Sequence, residues 1–210
     1  MTELHFYTNP MSRGQIVRWM LEECGAPYET TLLDYGTTMK AEAYRAINPM
    51  GKVPALVHDG KTVTEAAAIC AYLADAFPDA GLAPAPADRA DYYRWLFFAA
   101  GPLEQAITAA SLGYAVAPEQ QRMVGYGCME DVLTALEQAV TGKNFIAAGR
   151  FTAADVYVGA QLDFGLQFGA LPARPAFAAY VAPLRERPAY RRAKAIDQAL
   201  IDQTKAAAKG

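Results

Sequence analysis

The sequence predicts an α/β domain followed by an all-α domain. Short β-rich runs alternate with apolar-periodic segments up to residue 77, whereas after residue 88 apolar residues recur at helical spacing only. A stretch rich in proline, glycine and alanine, residues 78–86, separates the two patterns. We therefore expect a first domain at 1–80, a linker at 81–87 and an all-helical domain at 88–210.

The first strand and the first helix meet at a polar turn. The run from Leu4 to Tyr7 predicts the strand, and apolar residues at helical spacing predict a helix that begins near Ser12 and ends before Gly25. Ser12 thus lies where helix N–H groups have no partner and the helix dipole is positive, which favours an anion. A serine in this place can equally be no more than a helix cap.

Three further patterns complete the first domain. Residues 28–33 are rich in β-formers and predict a second strand, parallel to the first because a helix connects them. A short helix is expected at 41–47. Asp59-Gly60 between two β-like runs predicts a hairpin, and Thr64 caps a helix that Glu65 opens. The expected order is β-α-β-α-β-β-α.

The second half reads as helices joined by short breaks. Asp88 is expected to cap a long helix through Ile107, and Pro118 to start another. The pattern Thr152-Ala-Ala-Asp155 predicts a capping box before a helix to about residue 168. A further helix is expected near 177–187, and a polar, helical tail that frays at its end is expected at 190–210.

Composition limits the function. The net charge of −3, without a run of one sign, argues against nucleic acid and anionic membranes as partners. No apolar stretch is long enough to span a bilayer and no secretory signal is visible, so a cytoplasmic protein is expected. The cysteines, Cys24, Cys70 and Cys128, form no Cys-x-x-Cys pair and the histidines have no ligand-spaced neighbours, so no metal is expected.

Taken in order, several features resemble the cytosolic glutathione transferase family over essentially the whole chain. They are the turn at Ser12, the segment Asn48-Pro-Met-Gly-Lys-Val-Pro-Ala-Leu56, the pair Thr64-Glu65 and the helical second half. The resemblance implies a thioredoxin-like first domain joined to a helical bundle domain. It also implies a homodimer that takes glutathione as a substrate.

The resemblance also implies a site of the bacterial, serine-type kind. Ser12 would contact the glutathione sulfur, and the backbone of Val53, before a cis proline, would pair with the cysteinyl part. Glu65 would bind the γ-glutamyl end. The residues implied in glutathione binding are Ser12, Arg13, Met39, Lys40, Lys52, Val53, Pro54, Glu65 and Ala66.

Three positions depart from the family pattern. Ala66 stands where a serine or threonine is usual, so one hydroxyl donor is missing and we expect glutathione binding weaker by ~1 kcal/mol. Met39 stands where many serine-type members have histidine, and Lys40 is expected to substitute. Met11-Ser12-Arg13 does not match the Ser-Ser-Cys-Ser run of the maleylacetoacetate isomerase branch, which argues against that activity.

Some assignments stay open on sequence alone. Tyr7, Asn9 or Arg13 could take part in thiol activation instead of Ser12 or beside it. An electrophile pocket could be lined by aromatic and apolar residues of the second domain, although each of them could equally be core: Tyr92, Trp95, Phe98, Leu103 and Tyr114. The leading hypothesis is a detoxifying transferase that adds glutathione thiolate to an apolar electrophile. The alternatives are a non-catalytic binding or interaction protein, a peroxidase or a dehalogenase.

Overall fold

The computed structural model describes residues 3–207, which form two compact units. The first unit combines the chain up to residue 82 with the chain from residue 187 onward, and the second unit is 83–186. The predicted domains differ from this division at the C-terminus, because the sequence analysis placed all of 88–210 in the helical domain. The end of the tail that was expected to fray, 208–210, lies outside the described residues.

A four-stranded sheet organises the first unit. Its strands are β1 (Leu4–Thr8), β2 (Glu29–Leu32), β3 (Ala55–His58) and β4 (Lys61–Thr64). They lie in the order β2-β1-β3-β4; β1 and β2 are parallel, and the other two pairs are antiparallel. The helices are α1 (Gly14–Cys24), α2 (Glu42–Arg45) and α3 (Ala66–Ala76), so the predicted order β-α-β-α-β-β-α is confirmed.

The strand register brings four loops to one end of the sheet. Thr8 pairs with Leu32, Tyr7 pairs with Ala55, and Ala55 pairs with Thr64. The segments that follow Thr8, Leu32 and Thr64 therefore meet the segment that precedes Ala55. These segments contain Ser12, Tyr35, Glu65 and the Val53-Pro54 pair.

The last helix, α9 (Pro188–Ala207), completes the first unit by packing on α1. Arg18 of α1 and Asp197 of α9 form an ion pair with Nε and Oδ1 2.7 Å apart, and both side chains are almost fully buried. Helical periodicity predicts a helix here but does not say which surface the helix covers. The sequence therefore does not reveal that α9 packs on α1.

Five helices make up the second unit: α4 (Ala90–Phe98), α5 (Glu104–Ser111), α6 (Met129–Val140), α7 (Ala153–Gln167) and α8 (Pro175–Arg185). The long helix expected from Asp88 to Ile107 is interrupted by a wider, π-helical turn at Ala99–Leu103. Pro102 lies in this turn and has no N–H to donate, which accounts for the irregularity. Pro118 opens only a 3-10 turn, and α6 begins later, at Met129.

The predicted capping box is confirmed at the start of α7. The Thr152 N–H donates to Asp155 Oδ2 at 2.8 Å, and the Thr152 hydroxyl donates to the same oxygen at 3.0 Å. Asp155 Oδ1 also accepts from the Ile146 N–H and from the Tyr180 hydroxyl. Burial raises the pKa of the Asp155 carboxyl, while these hydrogen bonds oppose the rise. The cluster is a folding feature of the helical unit.

Two features are absent from residues 3–207. No helix in this range is both long enough and apolar enough to cross a membrane. No group of three or more His, Cys, Asp or Glu side chains in this range is placed to hold a metal ion.

Candidate functional site

Ser12 closes a tight turn between β1 and α1. Its N–H and its hydroxyl both donate to the carbonyl of Asn9, at 3.1 and 2.6 Å, and its Oγ accepts from the Gly14 N–H at 2.9 Å. The helix begins at Gly14, so Ser12 is at the positive helix end that the sequence predicts. The hydroxyl hydrogen points to a backbone carbonyl in this structure, and it is free to rotate toward a stronger acceptor.

Asn9 holds this turn in place and does not reach toward a ligand. Its side chain is buried, with Nδ2 donating to the Leu33 carbonyl at 2.8 Å and Oδ1 accepting from the Met11 N–H at 3.0 Å. Both ends of the amide are therefore occupied within the fold. The alternative in which Asn9 contacts the sulfur is not supported. Arg13, by contrast, is exposed beside Ser12.

The loop before β3 presents an unpaired backbone. The Val53-Pro54 peptide bond is cis, as expected. The Lys52 carbonyl accepts from the Tyr44 hydroxyl at 2.6 Å and from Asn48 Nδ2 at 2.7 Å, which fixes the chain just before Val53. Within residues 3–207, neither the N–H nor the carbonyl of Val53 makes a hydrogen bond. Both groups are available to an extended peptide ligand that pairs alongside.

Lys40 lies over the turn that leads into this loop. Its Nζ donates to the Gly51 carbonyl at 2.5 Å and to the Met50 carbonyl at 3.3 Å. Gly51 has a φ of 56°, and a side chain at this position would meet the Met39 carbonyl at 2.8 Å. Because both partners of the ammonium are neutral carbonyls, its charge remains available to an anion. The Lys52 side chain is exposed close by in sequence.

Met39, implied in glutathione binding by the family resemblance, does not expose its side chain, so a contact with glutathione would have to come from its backbone. Its side chain is only 2% exposed and packs in an apolar cluster with Leu33, Tyr44 and Ala55. Of the adjacent pair, only Lys40 has an exposed side chain.

Glu65 stands in a strained conformation at the start of α3. Its φ of 67° lies in the left-handed region, which is unfavourable for a residue with a side chain, and the residue is exposed. Its carbonyl accepts from the Ile69 N–H at 2.9 Å, which starts the helix. The first N–H groups of α3, including that of Ala66, have no partner within the helix. A carboxylate side chain and a helix N-terminus thus stand side by side.

The ring of Tyr7 packs against other side chains of the first unit. Its ring stacks on His5 with centroids 4.5 Å apart, lies 5.7 Å from the ring of Tyr44 and packs against the cluster around Met39. The strand register places it on the sheet, whereas Ser12 lies on the turn beyond the strand.

The five residues suggested for an electrophile pocket do not share one environment. Tyr92, Trp95 and Leu103 are buried, with at most 5% of each residue exposed, which favours the core alternative for these three. Phe98 is half-buried, and Tyr114 is 69% exposed. Only three of the five residues therefore pack inside the helical unit.

Two exposed apolar residues beside Ser12 were missed by sequence reasoning. Met11 is 62% exposed and Tyr35 is 57% exposed. The Tyr35 hydroxyl donates to the Met11 carbonyl at 3.4 Å, which joins the loop after β2 to the Ser12 turn. The predicted parallel pairing of the first two strands could have suggested this neighbourhood, because both residues lie in the loops that follow those strands.

Comparisons with known proteins identify the family. Residues 11–76 match the family model described as the glutathione S-transferase N-terminal domain. Glutathione S-transferase GST-4.5 of Xanthomonas campestris pv. campestris is 31% identical over 191 residues, which cover 83% of this chain and 90% of that protein. Protein LigF of a Sphingobium species is 43% identical over 79 residues, but this match spans 36% of this chain and only 31% of LigF.

The fold is also shared with solved structures. The glutathione S-transferase of a sphingomonad, solved in complex with glutathione, aligns with a TM-score of 0.74 at 31% identity over 92% of this chain and 98% of that one. The glutathione transferase URE2P5 from Phanerochaete chrysosporium aligns with a TM-score of 0.80 at 20% identity, over 98% of this chain and 99% of that one. With the thioredoxin-like sheet and its converging loops, these matches establish that the chain belongs to the glutathione S-transferase family.

Proposed function

We propose that this chain is a glutathione transferase that binds glutathione across the converging end of the sheet and activates its thiol at Ser12. The single observation that carries the proposal is the strand register. It brings the Ser12 turn, the unpaired backbone of Val53 and the start of α3 to one end of the sheet. These three segments offer a thiolate-stabilising group, a peptide-pairing edge and a site for an amino acid end.

Each part of glutathione has a complementary group in this arrangement. The γ-glutamyl ammonium pairs with the Glu65 carboxylate, and its carboxylate accepts from N–H groups at the start of α3. The cysteinyl backbone pairs with Val53, and the glycyl carboxylate lies against the cations Lys40 and Lys52. Ala66 provides only its N–H, so binding is weaker than with a hydroxyl residue by the ~1 kcal/mol of one hydrogen bond.

The free energy gained by thiol activation depends on the hydrogen bond that the Ser12 hydroxyl must break before it can donate to the thiolate. Its present bond to the Asn9 carbonyl is a neutral one, worth about 1 kcal/mol net, whereas a bond to a thiolate is worth about 1.5–3 kcal/mol. The helix start adds roughly 0.3–1 kcal/mol. The balance of about 1–3 kcal/mol lowers the thiol pKa by roughly one to two units. The chain therefore reaches useful thiolate formation without a general base.

Met11 and Tyr35 indicate the class of the second substrate. Both expose large apolar surfaces next to Ser12, and Tyr35 offers a ring for stacking. A flat, apolar electrophile held there would lie beside the sulfur. We therefore propose addition of the thiolate to an apolar electrophile as the reaction.

The test is the ultraviolet absorbance of bound glutathione thiolate, titrated with pH in the wild type and in Ser12→Ala. We expect a thiol pKa one to two units below that of free glutathione, which rises in the variant while turnover falls at least tenfold. Arg13→Met tests whether the adjacent cation adds to the field. Equal thiol pKa values and equal turnover in wild type and Ser12→Ala would contradict the assigned role of Ser12.

A non-catalytic binding protein is the second candidate, because the Ser12 hydroxyl is already engaged with Asn9. Glutathione that binds tightly but stays a thiol, without turnover of electrophiles, peroxides or halides, would favour it. Turnover of peroxides or halides alone would indicate a peroxidase or a dehalogenase.

We also propose a homodimer. Tyr93 and Phe97 form an exposed aromatic pair on one face of α4, with ring centroids 6.5 Å apart and 42% and 72% exposure. Large exposed apolar side chains that lie together are typical of protein interfaces. Sedimentation equilibrium measures the mass directly, and a mass of one chain at micromolar concentration would contradict the dimer.

A further inference from the structure

The peptide group between Pro10 and Met11 is held from both sides. Its carbonyl accepts from Gln15 Nε2 at 2.6 Å, and its N–H donates to Asn9 Oδ1 at 3.0 Å. The group is planar, so its two ends turn together. Type I and type II turns differ by a flip of their central peptide group. In this turn the central peptide is the one between Pro10 and Met11, and a flip would break both of its hydrogen bonds. The orientation of the turn that ends at Ser12 is thereby fixed.

Gln15 is in turn held by the C-terminal helix. Lys194 Nζ of α9 donates to Gln15 Oε1 at 2.9 Å. An ammonium can only donate and a backbone carbonyl can only accept, whereas a side-chain amide does both. Gln15 therefore joins Lys194 to Pro10 in one orientation only, with its oxygen toward α9 and its nitrogen toward the turn.

Lys194 has support of its own. Its Nζ lies 5.5 Å from the centre of the Tyr190 ring, one helical turn earlier on α9. One helical turn later, Asp197 is locked to Arg18 of α1. Lys194 thus lies between two positions of α9 that contact α1, and the residue is half-buried.

We propose that Gln15 and Lys194 are positioning residues for thiol activation, because they link α9 to the turn that presents Ser12. The inference rests on the proposed function, since it assigns what orients the activating hydroxyl. Neither residue touches glutathione. Their effect passes through the Pro10 carbonyl and the placement of Ser12.

The test uses the full-length protein and two readouts, the thiol pKa of bound glutathione and the separate values of kcat and KM. Gln15→Met removes both hydrogen bonds while keeping the side-chain length. We expect a raised thiol pKa and a kcat roughly fivefold lower, the factor that one hydrogen bond is worth. The KM for glutathione should stay within about twofold, because the Val53 and Glu65 contacts do not depend on the turn.

Gln15→Glu separates positioning from helix packing. The carboxylate keeps the partner Lys194 but cannot donate to the Pro10 carbonyl. We expect it to lose activity as Gln15→Met does, although the link between α1 and α9 is retained. If Gln15 only packs the helices together, Gln15→Glu would behave as wild type.

Lys194→Met is combined with Gln15→Met in a double-mutant cycle. We expect Lys194→Met to lower kcat in the wild-type background and to change nothing further in the Gln15→Met background. Arg192→Met is the matched control, since it removes an ion pair between α9 and Glu22 of α1, away from the turn. We expect kcat and the thiol pKa of this control to be unchanged.

The outcomes keep the two proposals apart. If wild type and Ser12→Ala bind glutathione with the same thiol pKa, the proposed function fails at Ser12. If Ser12→Ala raises the thiol pKa but Gln15→Met leaves both pKa and kcat as in wild type, only the positioning role is overturned. Additive effects of Lys194→Met and Gln15→Met would overturn the linkage between them.

Discussion

Position 14 leaves no room for a side chain at the start of α1. A Cβ there would lie 1.9 Å from Thr8 Oγ1 and 3.0 Å from Ser12 Oγ. Thr8 is fully buried at the end of β1, so its hydroxyl cannot move aside freely. The close approach of strand, turn and helix that places Ser12 therefore depends on a glycine.

We expect Gly14→Ala to destabilise the protein by about 1–3 kcal/mol through overpacking and to displace Ser12. The free energy of unfolding in urea and the thiol pKa of bound glutathione measure the two effects. Thr8→Ala removes the nearest atom, so the Thr8→Ala/Gly14→Ala double variant should recover part of the stability lost in Gly14→Ala. A Gly14→Ala variant as stable and active as wild type would contradict the argument.

Residues with a local signal could be predicted from the sequence. Ser12 follows a strand–turn–helix pattern, whereas the Val53-Pro54 pair and Glu65 were singled out by the family resemblance of the segments that contain them. Met39 could not be placed, because its burial is set by an apolar cluster drawn from distant parts of the chain. The locking of Asn9 onto the Leu33 carbonyl is likewise a tertiary contact that spacing does not reveal.

At the scale of elements, the pairing of α1 with α9 is held by a buried ion pair. Arg18 and Asp197 expose 2% and 3% of their side chains, and the Arg18 guanidinium also lies 5.3 Å from the centre of the Phe6 ring. Burial raises the pKa of the Asp197 carboxyl, while Arg18 opposes the rise. A buried cation that loses its partner is costly, because it cannot return to water.

We therefore expect Asp197→Asn to lower the free energy of unfolding of the first unit by about 3–5 kcal/mol. Arg192→Met, which removes an exposed pair between the same two helices, should cost less than about 1 kcal/mol. Urea denaturation followed by circular dichroism measures both. The double variant Arg18→Met/Asp197→Leu should recover much of the loss, and equal effects of Asp197→Asn and Arg192→Met would contradict the burial argument.

Two cysteines, Cys24 of α1 and Cys70 of α3, make the free energy of unfolding fall as pH rises in the alkaline range. Burial is the largest cause that raises the pKa of the Cys24 thiol, to about 12, and burial also raises the pKa of Cys70 in α3. In the unfolded chain a thiol ionises near pH 8.5. Between about pH 9 and 12 the unfolded state therefore loses a proton that the native state keeps, so the native state loses stability as pH rises.

Cys24→Ala should weaken this dependence. A single such thiol contributes a slope of up to about 1.4 kcal/mol per pH unit above its unfolded pKa. We expect the free energy of unfolding to fall less steeply between pH 9 and 10.5 in Cys24→Ala than in wild type, whereas below pH 8 the two curves should run parallel. Identical slopes above pH 9 would show that Cys24 ionises alike in the folded and unfolded chain.

For the whole molecule, the sequence predicted the classes of element better than their grouping. The β-α-β-α-β-β-α order and the helical second half follow from local periodicity and turn residues. The interruption at Ala99–Leu103 and the return of α9 to the first unit do not. Both depend on which surfaces are left to cover once the other elements have packed. The cytoplasmic location stays a prediction.

The return of α9 means that the first 82 residues are an incomplete folding unit. Without α9, Arg18 would lose its buried partner and Trp19 would lose the Tyr190 ring, whose centroid lies 5.0 Å away. We expect a fragment of residues 1–82 to lack cooperative unfolding and near-ultraviolet circular dichroism. Joining residues 187–210 to it through a flexible Gly/Ser linker should restore both.

The control is the same fusion with the order of residues 187–210 scrambled, which keeps composition and length. It should behave like the fragment of residues 1–82, since neither Asp197 nor Tyr190 can meet its partner on α1. If residues 1–82 alone unfold cooperatively with the stability of the native-order fusion, α9 is dispensable for the fold. The domain boundary expected from the sequence would then describe the folding unit better than the contacts of α9 do.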